Sequence, residues 1–139
     1  MSQTDAGAAG ARRRAHVIRD GQGRESQLRY GRGAMIKLVD PEIGAEQVDL
    51  HLNVILAGSA PGPYHLHTTA ENVYHVLSGR VRIRVDGVDH DAGPGDTVFI
   101  PPNVPHSATN IGEGDARLLE IYAPAKVDFV EVPSTPGGT

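Results

Sequence analysis

A chain of 139 residues with a net charge of −4 and no cysteine has the size of one ordinary domain. The missing thiols exclude disulfides, zinc–thiolate clusters and cysteine nucleophiles, and no apolar run approaches the roughly 18 residues of a membrane span. With no Trp and few aromatics, the core has to be assembled from Val, Ile, Leu and Ala. The charge is unevenly spread: residues 1–33 carry seven Arg against Asp5, Asp20 and Glu25, a net of +4, whereas residues 34–139 carry six Lys and Arg against fourteen acids, a net of −8.

In chain order, "MSQTDAGAAGAR" is small, polar and aperiodic, so it reads as a disordered leader. It opens a flexible Arg/Gly-rich arm over 1–33. Arg12, Arg13 and Arg14 are not followed by the apolar run of an export signal, and a cytoplasmic protein is expected. A short basic arm on an acidic body poor in aromatics is a solvated tail, so neither nucleic acid nor membrane is expected as a partner.

From residue 34 to about 132 the punctuation is that of an all-β chain. "AMIKLVD" is a first strand. "VDLHLNVIL" alternates, with Val48, Leu50, Leu52, Val54 and Leu56 on one face and Asp49, His51, Asn53 and Ile55 on the other. "NVYHVLS" and "RVRIRVDG" follow, joined near Gly79. The second sets Val81, Ile83 and Val85 against Arg80, Arg82 and Arg84, the pattern of a half-buried strand with a solvated face. "VDGVDH" supplies a hairpin turn at Asp86 and Gly87. "DTVFIPP" and "ARLLEIYAP" are two further strands, separated by the turn-rich "NVPHSATNIGEGD". Short strands with Gly and Pro between them and no helical period argue for a sandwich or a small barrel. Residues 133–139 read as a flexible tail.

Of seven histidines, His16 belongs to the arm and His90 to the edge of a hairpin. His51 and His75 sit in strands, where a satisfied structural histidine is the ordinary case. His65 and His67 differ: in extended chain, residues two apart project from one face, which makes a two-imidazole clamp. Alone, H-x-H is a weak signal. A second segment, "GDTVFIPPNVPHSATN", adds Gly95, Pro101, His106 and Asn110 at a spacing of its own.

Together the two segments resemble the paired motifs of the cupin superfamily, small single-domain RmlC-like members in particular. His65, His67 and Gly79 match the first motif, with Ser59 at its leading Gly and Gly58 one residue out of register. Gly95, Pro101, His106 and Asn110 match the second, with Asn103 in place of its internal Gly. Asn is the residue that best replaces Gly at φ > 0. The resemblance implies a double-stranded β-helix, a jelly-roll barrel over 34–132, with His65, His67 and His106 converging on a divalent metal. Iron, manganese, nickel and zinc all suit such a set.

The departure lies at the carboxylate of the first motif. The family's spacing puts Asn72 there, and alternation sends Asn72, Tyr74 and Val76 inward while Glu71, Val73 and His75 face away. Three arrangements fit: Asn72 coordinates through its amide oxygen, a bulge swings Glu71 inward, or three histidines act without a fourth protein ligand. Asn or no ligand leaves a centre of charge +2, a stronger Lewis acid that favours an anionic substrate. Tyr64 and Tyr74 are candidate phenol donors near the substrate.

No other catalytic constellation is present, neither G-x-S-x-G nor a P-loop. Two functions from different classes fit. One is a metal-dependent enzyme, of dioxygenase, isomerase or lyase type, acting on a small polar or anionic metabolite. The other is a non-catalytic module holding a small molecule or sugar in the barrel. The resemblance also implies a homodimer, with residues about 15–33 pairing as an edge strand or crossing to the second subunit.

Overall fold

A computed structural model describes residues 13–133. The leader, and the tail from residue 134 onward, lie outside the described residues. The strands are β1 (Arg24–Gln27), β2 (Gly33–Val39), β3 (Asp49–Ile55), β4 (His65–Leu66), β5 (Glu71–Ser78), β6 (Val81–Val85), β7 (Val88–Ala92), β8 (Thr97–Ile100), β9 (His106–Asn110), β10 (Ala116–Ala123) and β11 (Val130–Glu131). They form two antiparallel sheets, one ordered β1-β2-β3-β10-β5-β8 and the other β11-β4-β9-β6-β7. This is the all-β double-stranded β-helix that the sequence implies.

The turns follow their residues. Asp86 and Gly87 both take positive φ, 50° and 82°, as a two-residue hairpin loop between right-twisted strands requires. Asn103, standing where the motif has Gly, is left-handed at φ 67°, and its amide donates to the carbonyl of His67 at 2.7 Å. That bond ties the second motif to the first. Asn110 staples strands at the far end of β9: its Nδ2 donates to the carbonyls of Ile55 and Gly114, and its Oδ1 accepts from Gly112.

The alternation in β3 places its polar row inward. Asp49, His51, Asn53 and Ile55 are buried, while Val48 and Leu56, from the apolar row, are 39% and 43% exposed. Ile55 continues into an apolar plug of Val76, Val81, Ile83, Ile100 and Leu118 that fills one end of the barrel. Each such side chain contributes about 1.5–3 kcal/mol by leaving water. The opposite end carries the polar rows and the histidines. On the outer face of β6, Arg82 and Arg84 stand opposite Asp91 and Asp89 of β7 and pair with them in forked geometry, so this Arg stripe is a solvated face.

Two stretches differ from the sequence reading. Residues 24–33, read as part of the arm with an edge strand as one alternative, form β1 and a 3-10 turn, and β1 pairs at the sheet edge with β2 of its own chain. The pairing is made by backbone bonds, which polar side chains such as those of "RESQ" do not reveal. The segment read as a turn-rich loop contains β9, so His106 sits on a strand between β4 and β6.

Candidate metal centre

Period two brings the histidines together. His65 on β4 lies directly opposite His106 on β9, and His67 follows two residues after His65 on the same side. The ring centroids are 4.3 Å apart for His65 and His106, 5.0 Å for His65 and His67, and 5.2 Å for His67 and His106. A ligand nitrogen from each lies within 4.8 Å of the others. All three side chains are buried.

The tautomers are fixed by the backbone. Each Nδ1 faces a carbonyl: Pro63 for His65 at 2.8 Å, Asp128 for His67 at 2.5 Å and Val104 for His106 at 2.9 Å. A carbonyl only accepts, so each Nδ1 carries a proton and Nε2 is the nitrogen left to coordinate. The Nε2 atoms of His67 and His106 are buried without a hydrogen-bond partner. Burial and the neighbouring His106 hold the His65 pKa down to about 3, and burial also lowers that of His106. Buried, convergent and unpartnered lone pairs, each aligned from behind by a carbonyl, are what an imidazole-bound divalent cation requires. The residues fit such an ion.

Asn72 is 1% exposed, and Glu71 lies on the exposed side of β5. The Asn72 amide donates to the Ile121 carbonyl at 3.0 Å, which leaves its Oδ1 buried and unpartnered. Tyr74 is 3% exposed and lines the cavity next to the histidines. Tyr64 requires a correction: its hydroxyl accepts from the Gly87 amide at 3.0 Å, in the hairpin turn. Adjacent residues of a strand point oppositely, so the spacing that aims His65 inward turns Tyr64 away.

The inward row of β3 supplies groups that the sequence reading left without a role. His51 faces Asp49 through Nδ1 and Glu120 of β10 through Nε2, both at 2.9 Å. Since carboxylates accept, both ring nitrogens donate, and His51 is an imidazolium. Burial works against that charge, but the bonds from the two carboxylates outweigh it and raise the pKa to about 9. Lys37 completes the chain, its Nζ 2.9 Å from Asp49. Glu120 is buried, yet the bonds from His51 and Asn53 keep its carboxyl well below the usual range. Its Oε1 is doubly bonded, and its Oε2 is buried without a partner. Burial, with the charge of Glu120, holds the phenols of Tyr74 and Tyr122 well above 10. The inward polar alternation of β3 and the acid inside "ARLLEIYAP" were the visible signals.

Both groups face one cavity of about 410 Å³, lined among others by Arg32, His51, His65, His67, Tyr74 and Glu120. Its rim includes Phe129, stacked on His65 at 4.1 Å, with Arg29 lying over the outer face of the Phe129 ring.

Known proteins share this architecture. An uncharacterized protein of Methanocaldococcus jannaschii is 38% identical over 55 residues, covering 40% of this chain and 44% of that protein, so the match spans less than half of the relative. KdgF from a Halomonas species superposes with a TM-score of 0.71 at 16% identity, over 81% of this chain and 96% of its own. The polyketide cyclase RemF from Streptomyces resistomycificus also gives 0.71, at 22% identity, over 86% and 87%. At such identities the two structures speak for the fold alone. The family model described as the cupin domain matches residues 52–122, from the inward row of β3 through both histidine segments to Tyr122, and the chain therefore belongs to the cupin family.

Proposed function

We propose that this protein is a metal-dependent cupin enzyme acting on a small polar or anionic metabolite by acid–base chemistry of isomerase, cyclase or lyase type. The observation that carries this reading is the pairing, in one cavity, of three buried inward-facing imidazoles with a buried ionised carboxylate whose second oxygen has no hydrogen-bond partner. His65, His67 and His106 would hold a divalent ion, which would supply Lewis acidity to an oxygen donor of the substrate. Glu120 Oε2 is the proton acceptor of the site, while the His51 imidazolium and Asn53 hold Oε1 and fix the carboxylate plane. The phenol of Tyr74 stays protonated and donates to a ligand oxygen. Asn72, at the position of the family's carboxylate, adds no charge to the centre, whether or not its Oδ1 coordinates. One structural neighbour is itself a polyketide cyclase.

Metal analysis of protein purified without added metal tests the reading. Near-stoichiometric iron, manganese, nickel or zinc is expected in the wild type, and its loss in His106→Ala. Glu71→Ala leaves the content unchanged, because that side chain is on the exposed face; Asn72→Ala lowers it if the amide oxygen coordinates. A wild type that arrives metal-free and takes up none of the four would overturn the proposal. The proposal keeps the cytoplasmic location expected from the sequence, and no described helix is long and apolar enough to cross a membrane. It also includes a homodimer.

A further inference from the structure

Arg32 is 6% exposed, and among the described residues its guanidinium has no carboxylate partner. Nε donates to the Ala60 carbonyl at 3.2 Å and Nη2 to the Ala108 carbonyl at 2.5 Å. A guanidinium has five N–H donors and is always charged, so these two bonds to neutral acceptors leave its charge unmatched and donors to spare. Burying a cation on such terms is costly unless an anion joins it.

The other buried charges of the cavity are matched. Lys37, Asp49, His51 and Glu120 alternate in sign and are bonded in sequence. At the rim, Arg29 lies over Phe129, and Asp128 accepts from Thr68. Arg32 is therefore the one buried cation among the described cavity residues with no carboxylate bonded to it, and Glu120 reaches it only through space. Space has also been left for it. A Cβ on Gly62 would lie 2.9 Å from Arg32 Nη2 and 2.3 Å from the Ala108 oxygen, closer than side-chain carbons sit. Ala108 is two residues from His106 on β9, a separation of about 7 Å along a strand.

We infer that Arg32 anchors a carboxylate of the substrate, which makes the ligand a small organic acid reaching from the guanidinium to the three histidines. A single planar fork matches a singly charged planar carboxylate. A phosphate dianion would set both charges at the guanidinium, whereas a dicarboxylate carries its second charge on to the histidines, and a neutral sugar would leave the guanidinium without an anion. The inference deepens the metal-enzyme reading and rests on it for the histidine end of the ligand only.

Isothermal titration of the full chain with malonate and with its neutral analogue malonamide, in metal-free and Co2+-loaded protein, tests the two ends separately. Malonate is expected to bind in both states and malonamide at least about tenfold more weakly, as loss of a charge-assisted fork demands. Arg32→Gln should weaken malonate by about tenfold or more at unchanged Co2+ stoichiometry, while Arg32→Lys, which keeps the charge, recovers part of the loss. The comparison of malonate with malonamide in the metal-free wild type needs no variant, which keeps the test open if Arg32→Gln fails to fold. Equal binding of malonate and malonamide, malonate binding indifferent to Arg32→Gln, or inorganic phosphate binding more tightly than malonate would each overturn the inference. Malonate binding that depends on Arg32 in a protein unable to take up Co2+ supports it and sinks the metal reading alone.

Discussion

His51 is the residue on which the polar half of the cavity turns. With a carboxylate on each ring nitrogen it is held as an imidazolium, with a pKa of about 9 against 6.5 for an ordinary histidine. A folded-state pKa raised in this way stabilises the native state fully below pH 6.5 and loses that contribution as pH rises through about 9. Glu120→Gln removes one of the two anions. It should lower stability by about 3–5 kcal/mol, the usual cost of breaking a buried pair, and move the alkaline loss of stability to lower pH. Urea unfolding midpoints of both proteins between pH 6 and 10 check this; parallel pH profiles would show that His51 does not hold its proton through Glu120.

At the scale of elements, the site depends on how closely β2 and β3 approach. Lys37 stands opposite His51 across that pair and reaches Asp49, so the register of β2 sets the charge chain. Gly33 opens β2 at φ 147°, opposite Ile55, where a Cβ would lie 1.9 Å from the carbonyl of Val54. Gly33→Ala therefore has to push the strands apart, and a loss of about 2–4 kcal/mol is expected, in the range of backbone clashes at special φ/ψ. Chemical denaturation measures it. A variant as stable as wild type would mean that the β2 end yields without disturbing the sheet. Strand β9 works the same way from the other sheet, its register with β4 placing His106 against His65.

For the whole molecule, the two outer faces differ in kind. The five-stranded sheet shows water the forked Arg–Asp pairs of β6 and β7. The six-stranded sheet carries an apolar row outward, Leu50, Ile121, Val73 and Phe99, in direct cross-strand register. Phe99 is 56% exposed. An outward apolar row ending on an exposed Phe suits a second copy of the chain. Light scattering coupled to size exclusion should give a dimer for the wild type and a monomer for Val73→Asp combined with Phe99→Glu. A monomeric wild type would remove the homodimer from the proposal. Because β1 pairs with β2 of its own chain, such a dimer would join sheet faces and need no exchanged strand.

By itself the sequence determined what is local. Residues two apart share a face of a strand, so His65 and His67 formed a clamp before any fold was known, and the same rule put Asn72 inward and Glu71 outward. Turn residues fixed the Asp86–Gly87 hairpin and the left-handed Asn103, because those conformations belong to the residue types. The resemblance added His106 and the barrel. Only the tertiary structure decided which face of β3 is the inside, since alternation shows two faces without naming the buried one. It also decided that His51 and Glu120, 69 residues apart, are hydrogen-bonded, and that Arg32 is buried beside Ala108, 76 residues away, with no carboxylate bonded to it among the described residues. Long-range register and unmatched buried charge are properties of packed sheets, where a side chain's partners come from strands distant in sequence.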